Sequence, residues 1–469
     1  MSDLLNLSLT EIAAAIRQKK ASAVEVTKAC IARAERIQPK LNCFIALEPD
    51  EALRAARKAD NAITKRQKLG PLHGVPLAHK DIYYRSGKVS TAGSKILRDY
   101  RATTTATTVE RLYAAGAIWL GNLNMSEFAA NPTGHNDHWG HCRNPWNPAH
   151  ITGGSSSGSA CAVAARSCYG ALGSDTGGSV RLPAAACGVI GVKPTYGRVS
   201  RYGVHARAWS QDTVGVLART ARDCARILGV IAGADHRDST CSNEPVPNYE
   251  RGINASVKGL KIGVPENHFY DDIAPDVAKS MTESLDALKS IGAKIVKVNV
   301  PDPKQLSLIA NTISICEAAA MHAPWIRTRP QDYTLMVRAR IEMGYHIPAT
   351  SYLEALSLRA HFLREFVTVV FGNCDVLHTP VLNISVPTIT ETSVGKADDV
   401  LSLIARLTRN SRPFNYLGTP TLSIPAGFSD SGLPVAFQLV GRPFAEALLF
   451  RAGYAYQAVT GWHTRVPNV

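Results

Sequence analysis

Residues 153–159 read Gly-Gly-Ser-Ser-Ser-Gly-Ser, and residues 173–179 read Gly-Ser-Asp-Thr-Gly-Gly-Ser. Such a concentration of glycine and serine is typical of flexible linkers. The chain between the two stretches is apolar, however, with Ala-Cys-Ala-Val-Ala-Ala at 160–165 and Tyr-Gly-Ala-Leu at 169–172. Apolar segments of this kind are buried in folded proteins. We therefore expect both glycine–serine stretches to lie inside a core, where the small residues have a backbone purpose.

The surrounding chain, from about residue 70 to 250, alternates short apolar runs with helical patterns. Residues 74–81 and 117–122 are apolar runs that end at polar residues, and residues 107–115 and 219–232 have helical patterns. This alternation predicts an α/β fold whose sheet is covered by helices on both faces.

The rest of the chain continues the pattern, and we predict one large α/β domain over residues 1–469 with a central mixed, mostly parallel-type sheet. The signature core is expected at about 70–250. A helical excursion at about 305–372 is expected to form the substrate-pocket region. Ser-x-x-Glu patterns at residues 8–11 and 22–25 predict the starts of two N-terminal helices. Further strands are predicted at 259–264, 293–298, 375–379, 421–425 and 435–440, and further helices at 276–291 and 445–460.

Composition restricts the partners. The 52 Lys and Arg against 38 Asp and Glu give a formal charge of +14, but the basic residues are scattered, so a solvated surface is expected and nucleic acid is not. The N-terminus lacks the pattern of a signal peptide, and no run of about 18 uncharged apolar residues occurs, so we expect a soluble cytoplasmic protein with no membrane partner. The ten cysteines include no CxxC pair and are expected to be reduced.

The sequence Asp-Thr-Gly-Gly-Ser at 175–179 is suited to nucleophilic catalysis. A serine nucleophile needs a base to take its proton and backbone N–H groups that stabilise the developing oxyanion. Two glycines before Ser179 let the chain turn tightly and leave those N–H groups accessible to a substrate.

At this point the sequence resembles the amidase signature enzymes, most closely from Gly74 to about Thr220 and more weakly over nearly the entire chain. The resemblance is carried by Gly-Val-Pro-Leu-Ala-His-Lys-Asp at 74–81, Gly-Gly-Ser-Ser-Ser-Gly-Ser at 153–159, Asp-Thr-Gly-Gly-Ser-Val-Arg-Leu-Pro at 175–183 and Gly-Val-Lys-Pro-Thr-Tyr-Gly-Arg-Val-Ser at 191–200.

The resemblance implies a Ser-Ser-Lys triad, with Ser179 as nucleophile, Ser155 as relay and Lys80 as base. It also implies a cis peptide bond between Gly154 and Ser155. The expected oxyanion hole consists of the amides of Thr176, Gly177, Gly178 and Ser179. The implied activity is hydrolysis of a carboxamide through an acyl-enzyme, with no cofactor.

A lysine acts as a base only when it is neutral, and burial beside serines would lower the pKa of Lys80 toward that state. Asp81 follows directly, but in a strand its side chain points to the opposite face, so we expect it to pair elsewhere.

Four further residues, Gly154, Ser156, Asp175 and Arg181, are expected to support the triad. Arg181 and Lys193 lie in apolar segments and are interpreted as holding Asp175 or backbone carbonyls in place. Ser156, like Thr176, is expected to hydrogen-bond around the triad.

Two other site types fit parts of the sequence less well. Residues 154–158 fit G-x-S-x-G, the nucleophile elbow of an α/β-hydrolase-type esterase with Ser156 as nucleophile, but that elbow requires a strand immediately before it and residues 147–152 read as a loop. His135, His138, His141 and Cys142 are close enough to suggest zinc, but proline- and glycine-containing segments frame them, so a metal is not expected.

A competing function within the same family is that of the glutaminase subunit of the tRNA-dependent amidotransferase, which would make this chain part of a complex. Where those glutaminases place an aspartate to hold the substrate ammonium group, this chain has Arg-Pro-Phe-Asn-Tyr at 412–416. The sequence therefore favours a free-standing amidohydrolase acting on a small-molecule amide, and it leaves a homodimer open.

The acyl or aryl group that this amide carries is not determined by the sequence. Apolar residues near the expected pocket favour an apolar substrate without distinguishing it from an aliphatic amide, a peptide amide or an ester. The pocket is expected to involve Phe128, Trp139, Trp209, Met343 and Asn415.

Overall fold

The computed structural model describes residues 2–393 and 397–469. Within this part of the chain, eleven strands form a single sheet: β1 Phe44–Leu47, β2 Pro76–Lys80, β3 Ile118–Leu123, β4 Gly170–Asp175, β5 Ile190–Lys193, β6 Thr213–Ala218, β7 Lys261–Pro265, β8 Lys294–Val298, β9 Val376–Pro380, β10 Thr421–Phe428 and β11 Pro434–Val440. Their order across the sheet is β1-β3-β2-β4-β6-β5-β10-β11-β9-β7-β8.

The sheet is mixed, as predicted, but parallel pairs do not predominate. Among the described strands, four neighbouring pairs are parallel (β2 with β3 and β4, β7 with β8 and β9) and six are antiparallel. The prediction of a mostly parallel sheet was therefore wrong. A continuous apolar run indicates that a strand is buried on both faces, and antiparallel strands in the middle of this sheet are buried in the same way.

The helices agree with the sequence patterns. Ser8 and Ser22 form the two predicted capping boxes. The helical excursion consists of four successive helices, α10 to α13. The described α-helices are α1 Ser2–Asn6, α2 Leu9–Arg17, α3 Ala23–Leu41, α4 Pro49–Thr64, α5 Thr107–Ala114, α6 Ser157–Ala164, α7 Arg181–Cys187, α8 Ala221–Ile231, α9 Pro275–Ser290, α10 Pro303–Thr328, α11 Leu335–Gly344, α12 Ala349–Ser357, α13 Arg359–Val369, α14 Ala397–Thr408, α15 Arg412–Tyr416 and α16 Glu446–Thr460.

Helices cover both faces of the sheet, as the glycines of β4 show. A Cβ added at Gly170 would lie 2.5 Å from Ile227 of α8, and one at Gly173 would lie 2.7 Å from Ser156, just before α6. Positions three apart in a strand point to opposite faces. The middle of the sheet is therefore covered by α8 on one side and by the start of α6 on the other.

One described helix, α10, is long and apolar enough by length and composition to cross a membrane. Half of its most apolar window is buried inside the domain. It packs against α11, α12 and α15. Burial of this kind is the pattern of a helix in a protein core.

Candidate active site

The candidate catalytic groups meet where two strands end. β2 ends at Lys80 and β4 ends at Asp175, and because the two strands are parallel neighbours their carboxyl ends lie at the same edge. Ser155 precedes α6, and its peptide bond with Gly154 is cis, as the resemblance implied. The amide of Ser156 donates to the carbonyl oxygen of Ser179 at 3.2 Å, which joins the two glycine–serine stretches.

Lys80 is fully buried among hydroxyl groups. Its Nζ donates to Ser155 Oγ at 2.7 Å and to Ser174 Oγ at 2.9 Å. Burial lowers the pKa of Lys80 to about 7, although the carboxylates of Asp212 and Asp175 oppose this shift. An amine with this pKa is substantially neutral near pH 7, so it has a lone pair available to accept a proton.

As predicted, Asp81 pairs with residues other than Lys80. Its carboxylate accepts hydrogen bonds from Thr91 and, at 2.7 Å, from Asn122 Nδ2. Burial raises the pKa of Asp81 to about 7, against the effect of these hydrogen bonds.

Ser174 is a contact of the candidate base that the sequence did not reveal. It lies one residue before the end of β4, in the strand next to the one that carries Lys80. The available signal was a serine inside an otherwise apolar run, and that signal acquires meaning only when β4 is known to neighbour β2.

Asp175 organises the turn that leads to Ser179. Burial alone would raise its pKa, but the Arg181 guanidinium and Asn415 hold the pKa of this carboxyl well below its usual range. Arg181 Nη2 lies 2.9 Å and Asn415 Nδ2 2.8 Å from Asp175 Oδ1. Arg181 therefore holds Asp175 in the way that the sequence predicted, and Lys193 Nζ likewise donates to a backbone carbonyl, that of Pro194, at 3.0 Å.

The conformation of the turn restricts which backbone amides can donate hydrogen bonds to an oxyanion. Gly178 has φ +125°, and a Cβ there would lie 2.3 Å from Ser411 Oγ, so only glycine fits. The Gly178 N–H already donates to Asp175 Oδ1 at 2.8 Å. Within the described residues, the amides of Thr176, Gly177 and Ser179 donate to no protein acceptor. These three amides, and not that of Gly178, are the available donors.

Ser156 is buried and bound by backbone. Its hydroxyl donates to the carbonyl of Ser174 and accepts from the amide of Ser174, each at 3.3 Å. Residues 147–152 form turns and single bridges without a strand. A nucleophile elbow at Ser156 therefore lacks its strand, and the geometry favours the supporting role.

The three histidines point to different partners. His138 Nε2 lies 3.0 Å from Glu127 Oε1, and His135 Nε2 lies 3.1 Å from Thr392 Oγ1. His141 Nδ1 contacts the backbone of Asn136. Each ring is thus used in hydrogen bonding within the loop and its neighbours.

The predicted pocket residues do not line the narrow cavity beside Ser179, and their role in substrate binding stays a prediction. Phe128 is fully buried and packs among His322, Trp325 and Tyr333. Trp139 stacks with Arg98. Trp209 lines a second cavity, of about 250 Å³, whose lining also includes Ser174 and Asp212. Met343 is half-buried on α11, and Asn415 is engaged by Asp175 and Arg181.

The narrow cavity that Ser179 does line, of about 30 Å³, has both polar and apolar walls and contains cationic groups. Thr176 and Gly177 form one wall, and the helical excursion contributes another, as predicted, through Ala310 and Ser314 of α10. The unforeseen feature is three arginines that line the same cavity, Arg207, Arg340 and Arg412.

The α/β domain and the buried lysine–serine contact at its sheet edge agree with the family that the sequence comparison identifies. A family model described as Amidase matches residues 25–450 of the chain. The chain belongs to this family, so it is an enzyme of the class that acts on C–N bonds of amides.

The names of the relatives describe more than one activity. A glutamyl-tRNA(Gln) amidotransferase subunit of Chloroflexus aggregans is 39% identical, covering 100% of this chain and 99% of the relative. The corresponding subunit from Thermotoga maritima has a solved structure with a TM-score of 0.80 and 31% identity, covering 99% of this chain and 96% of that one. The structure of 6-aminohexanoate cyclic dimer hydrolase complexed with substrate has a TM-score of 0.90 and 27% identity, covering 99% of both chains.

These comparisons confirm the resemblance and the fold. The full-length relatives named as amidotransferase subunits agree with the alternative function better than with the free-standing hydrolase that the sequence favoured.

Proposed function

We propose that this chain hydrolyses a carboxamide through an acyl-enzyme, with Ser179 as nucleophile, Ser155 as relay and Lys80 as base. The observation that carries the proposal is the contact of 2.7 Å between Lys80 Nζ and Ser155 Oγ, made by a lysine that burial keeps near neutrality. A buried amine that contacts a hydroxyl has both the lone pair and the proton source that nucleophilic catalysis needs.

The proposed steps start from the contact between Lys80 and Ser155, and the transfer between the Ser155 and Ser179 hydroxyls is part of the proposal. Neutral Lys80 takes the proton of Ser155, which takes that of Ser179 as its oxygen attacks the carbonyl carbon. The forming oxyanion is stabilised by the free amides at Thr176, Gly177 and Ser179, each worth roughly 3–4 kcal/mol of barrier. The proton then returns through Ser155 to the leaving nitrogen, and water attacks the ester by the same route to release the acid.

A second candidate is the glutaminase subunit of a tRNA-dependent amidotransferase, and the full-length relatives named as amidotransferase subunits favour it. It would use the same three side chains and would deliver ammonia within a complex. Residues 412–416, Arg-Pro-Phe-Asn-Tyr, stand where the resemblance expects an aspartate that holds the ammonium group of glutamine, and this departure supports the free-standing hydrolase.

The test is ammonia or amine release from neutral, anionic and glutamine amides by the purified chain, beside Ser179→Ala. We expect the variant to lose turnover of every substrate. Ser159→Ala is the matched control, because Ser159 is also a buried serine but its hydroxyl donates to the carbonyl of Leu172. Unchanged rates in Ser179→Ala would refute the assignment. Release from glutamine that requires the other proteins of an amidotransferase complex would favour the second candidate.

A further inference from the structure

Three guanidinium groups converge on the cavity beside Ser179. Arg207 lies in the segment before β6, Arg340 in α11 and Arg412 at the start of α15. Three separate parts of the fold thus each place a cation in one small space. A Cβ added at Gly177 would lie 3.9 Å from Arg412 Nε, so the catalytic turn faces this group directly.

The hydrogen bonds of these arginines leave much of their donor capacity unused. Arg207 Nη1 donates to the Ser314 carbonyl at 3.3 Å, but its buried Nη2 has no partner in the described part of the chain. Arg340 donates to the Ala130 carbonyl. For Arg412, no hydrogen-bond acceptor is found among the residues that the structure describes.

None of the three arginines forms an ion pair within residues 2–393 and 397–469. Burial lowers the pKa of Arg207, and the carboxylates of Asp212 and Glu317 oppose this shift without contacting its guanidinium. The Asp212 carboxylate is near, but it accepts from the backbone amides of Arg207 and Ala208 and, at 2.5 Å, from the Thr176 hydroxyl. It is therefore committed to the turn and not to a guanidinium.

Arg181 shows what a compensated arginine looks like in this protein. It is fully buried, yet its guanidinium lies against Asp175, Asn415 and Gln438. By contrast, burial first and then Arg207 lower the pKa of Arg412 to about 10, and burial together with both neighbours lowers the pKa of Arg340 well below its ordinary value. Burying three like charges without an ion pair to any of them is unfavourable, so a cavity that does so is stabilised when an anion enters it.

We propose that this three-arginine cavity binds a carboxylate of the substrate, and that the enzyme acts on amides that carry a carboxylate and no ammonium group beside it. The inference rests on the proposed function for its catalytic part. Arginine binds carboxylates through paired N–H donors, and several such groups favour an anion while repelling an ammonium group.

The substrate test uses matched amides. Glutaramate and pentanamide differ by a carboxylate in place of a methyl group on the acyl side, and N-acetylglycine and N-ethylacetamide differ in the same way on the amine side. Glutamine is glutaramate with an added ammonium group. We expect at least one anion to exceed its neutral counterpart in kcat/KM by about tenfold or more, as charged hydrogen bonds predict, and glutaramate to exceed glutamine.

The variant test is Arg412→Gln, with Arg409→Gln as matched control because Arg409 pairs with Asp271 and Asp272 outside the cavity. Arg412→Gln should raise KM for the preferred anion about tenfold or more relative to its effect on the neutral amide. The inference is overturned if neither anion is preferred over its neutral counterpart, if glutamine is the best substrate, or if Arg412→Gln affects both kinds of amide equally.

A binding measurement separates this inference from the proposed function. If the chain hydrolyses none of these amides, the proposed function fails, and calorimetry with glutarate still tests the cavity. Binding that weakens about tenfold in Arg412→Gln and not in Arg409→Gln supports the anion site. Absence of glutarate binding to the wild-type chain overturns it.

Discussion

Two lysines of this sheet, Lys80 and Lys193, are buried to the same extent and have different surroundings. Each is the last residue of its strand, β2 or β5, and each is completely buried. Burial lowers the pKa of both to about 7. Lys80 Nζ contacts two hydroxyls, whereas Lys193 Nζ contacts the carbonyl of Pro194, which has no proton to give. A low pKa makes an amine neutral, and only contact with a hydroxyl gives that amine a catalytic use.

The charged groups that act on the pKa of the two lysines also differ. Asp212 and Asp175 are the groups that raise the pKa of Lys80 against burial. Arg181 further lowers the pKa of Lys193, while Asp175 and Glu446 raise it. Asp175 thus influences both lysines, and it is held in turn by Arg181. We interpret Lys193 as a residue that supports the structure around the catalytic turn and Lys80 as the general base.

The largest difference between the two lysines is expected in Lys80→Met and Lys193→Met. Loss of a general base costs about 10²–10⁴ in rate, so kcat/KM of Lys80→Met should fall by about a thousandfold. Lys193→Met should lose less than about tenfold, because it removes only a contact to a carbonyl. Steady-state kinetics on both variants, with thermal unfolding as the control for folding, measures the difference. Equal losses in two folded variants would contradict the assignment of Lys80 as base.

A second difference is expected in the pH dependence of kcat/KM. In the proposed mechanism the neutral form of Lys80 is the active one, and its fraction rises with pH through the pKa of about 7. The rate should therefore fall about tenfold per pH unit below pH 7 and level off above it. Lys193→Met should keep this profile even though its own pKa is the same. The residual activity of Lys80→Met should instead rise with pH without levelling near 7, since hydroxide replaces the base. If Lys193→Met loses this pH dependence, the group that titrates is Lys193, and the assignment to Lys80 is wrong.

The contrast between these lysines also shows where sequence reasoning succeeds. Lys80 and Ser155 lie 75 positions apart, and the resemblance of their motifs to one family was enough to predict their contact. Asp175 and Arg181 are six positions apart in one motif, and their pairing followed from the apolar character of the segment. Local sequence motifs were therefore enough to predict these contacts at the carboxyl ends of β2 and β4.

What the sequence could not provide depends on the tertiary arrangement. Arg207, Arg340 and Arg412 come from three distant segments, and only the tertiary packing, in which α11 and α15 both contact α10, brings them to one cavity. Phe128 was expected in the pocket because aromatic side chains line many binding sites, but such side chains also form cores, and here it packs in an aromatic cluster. Strand direction was likewise not encoded in the apolar runs.

The smallest expected effect tests the second hydroxyl at Lys80. Ser174→Ala removes one acceptor of Nζ and leaves the contact with Ser155. A hydrogen bond of this kind contributes about 0.5–1.5 kcal/mol, so kcat/KM should fall roughly three- to tenfold. Because a hydroxyl acceptor stabilises the ammonium form more than the amine, its loss should also move the acid limb of the pH profile to lower pH.

Ser423→Ala provides the matched control, since Ser423 is a buried serine of β10 whose strand pairs with β5, the strand that carries Lys193. Its hydroxyl has no partner among the described residues. The control should therefore leave both rate and pH profile unchanged. If Ser174→Ala lowers the rate without moving the acid limb, Ser174 serves only to orient Lys80. If neither quantity changes, one hydroxyl suffices for the base, and the distinction between the two lysines then depends on Ser155 alone.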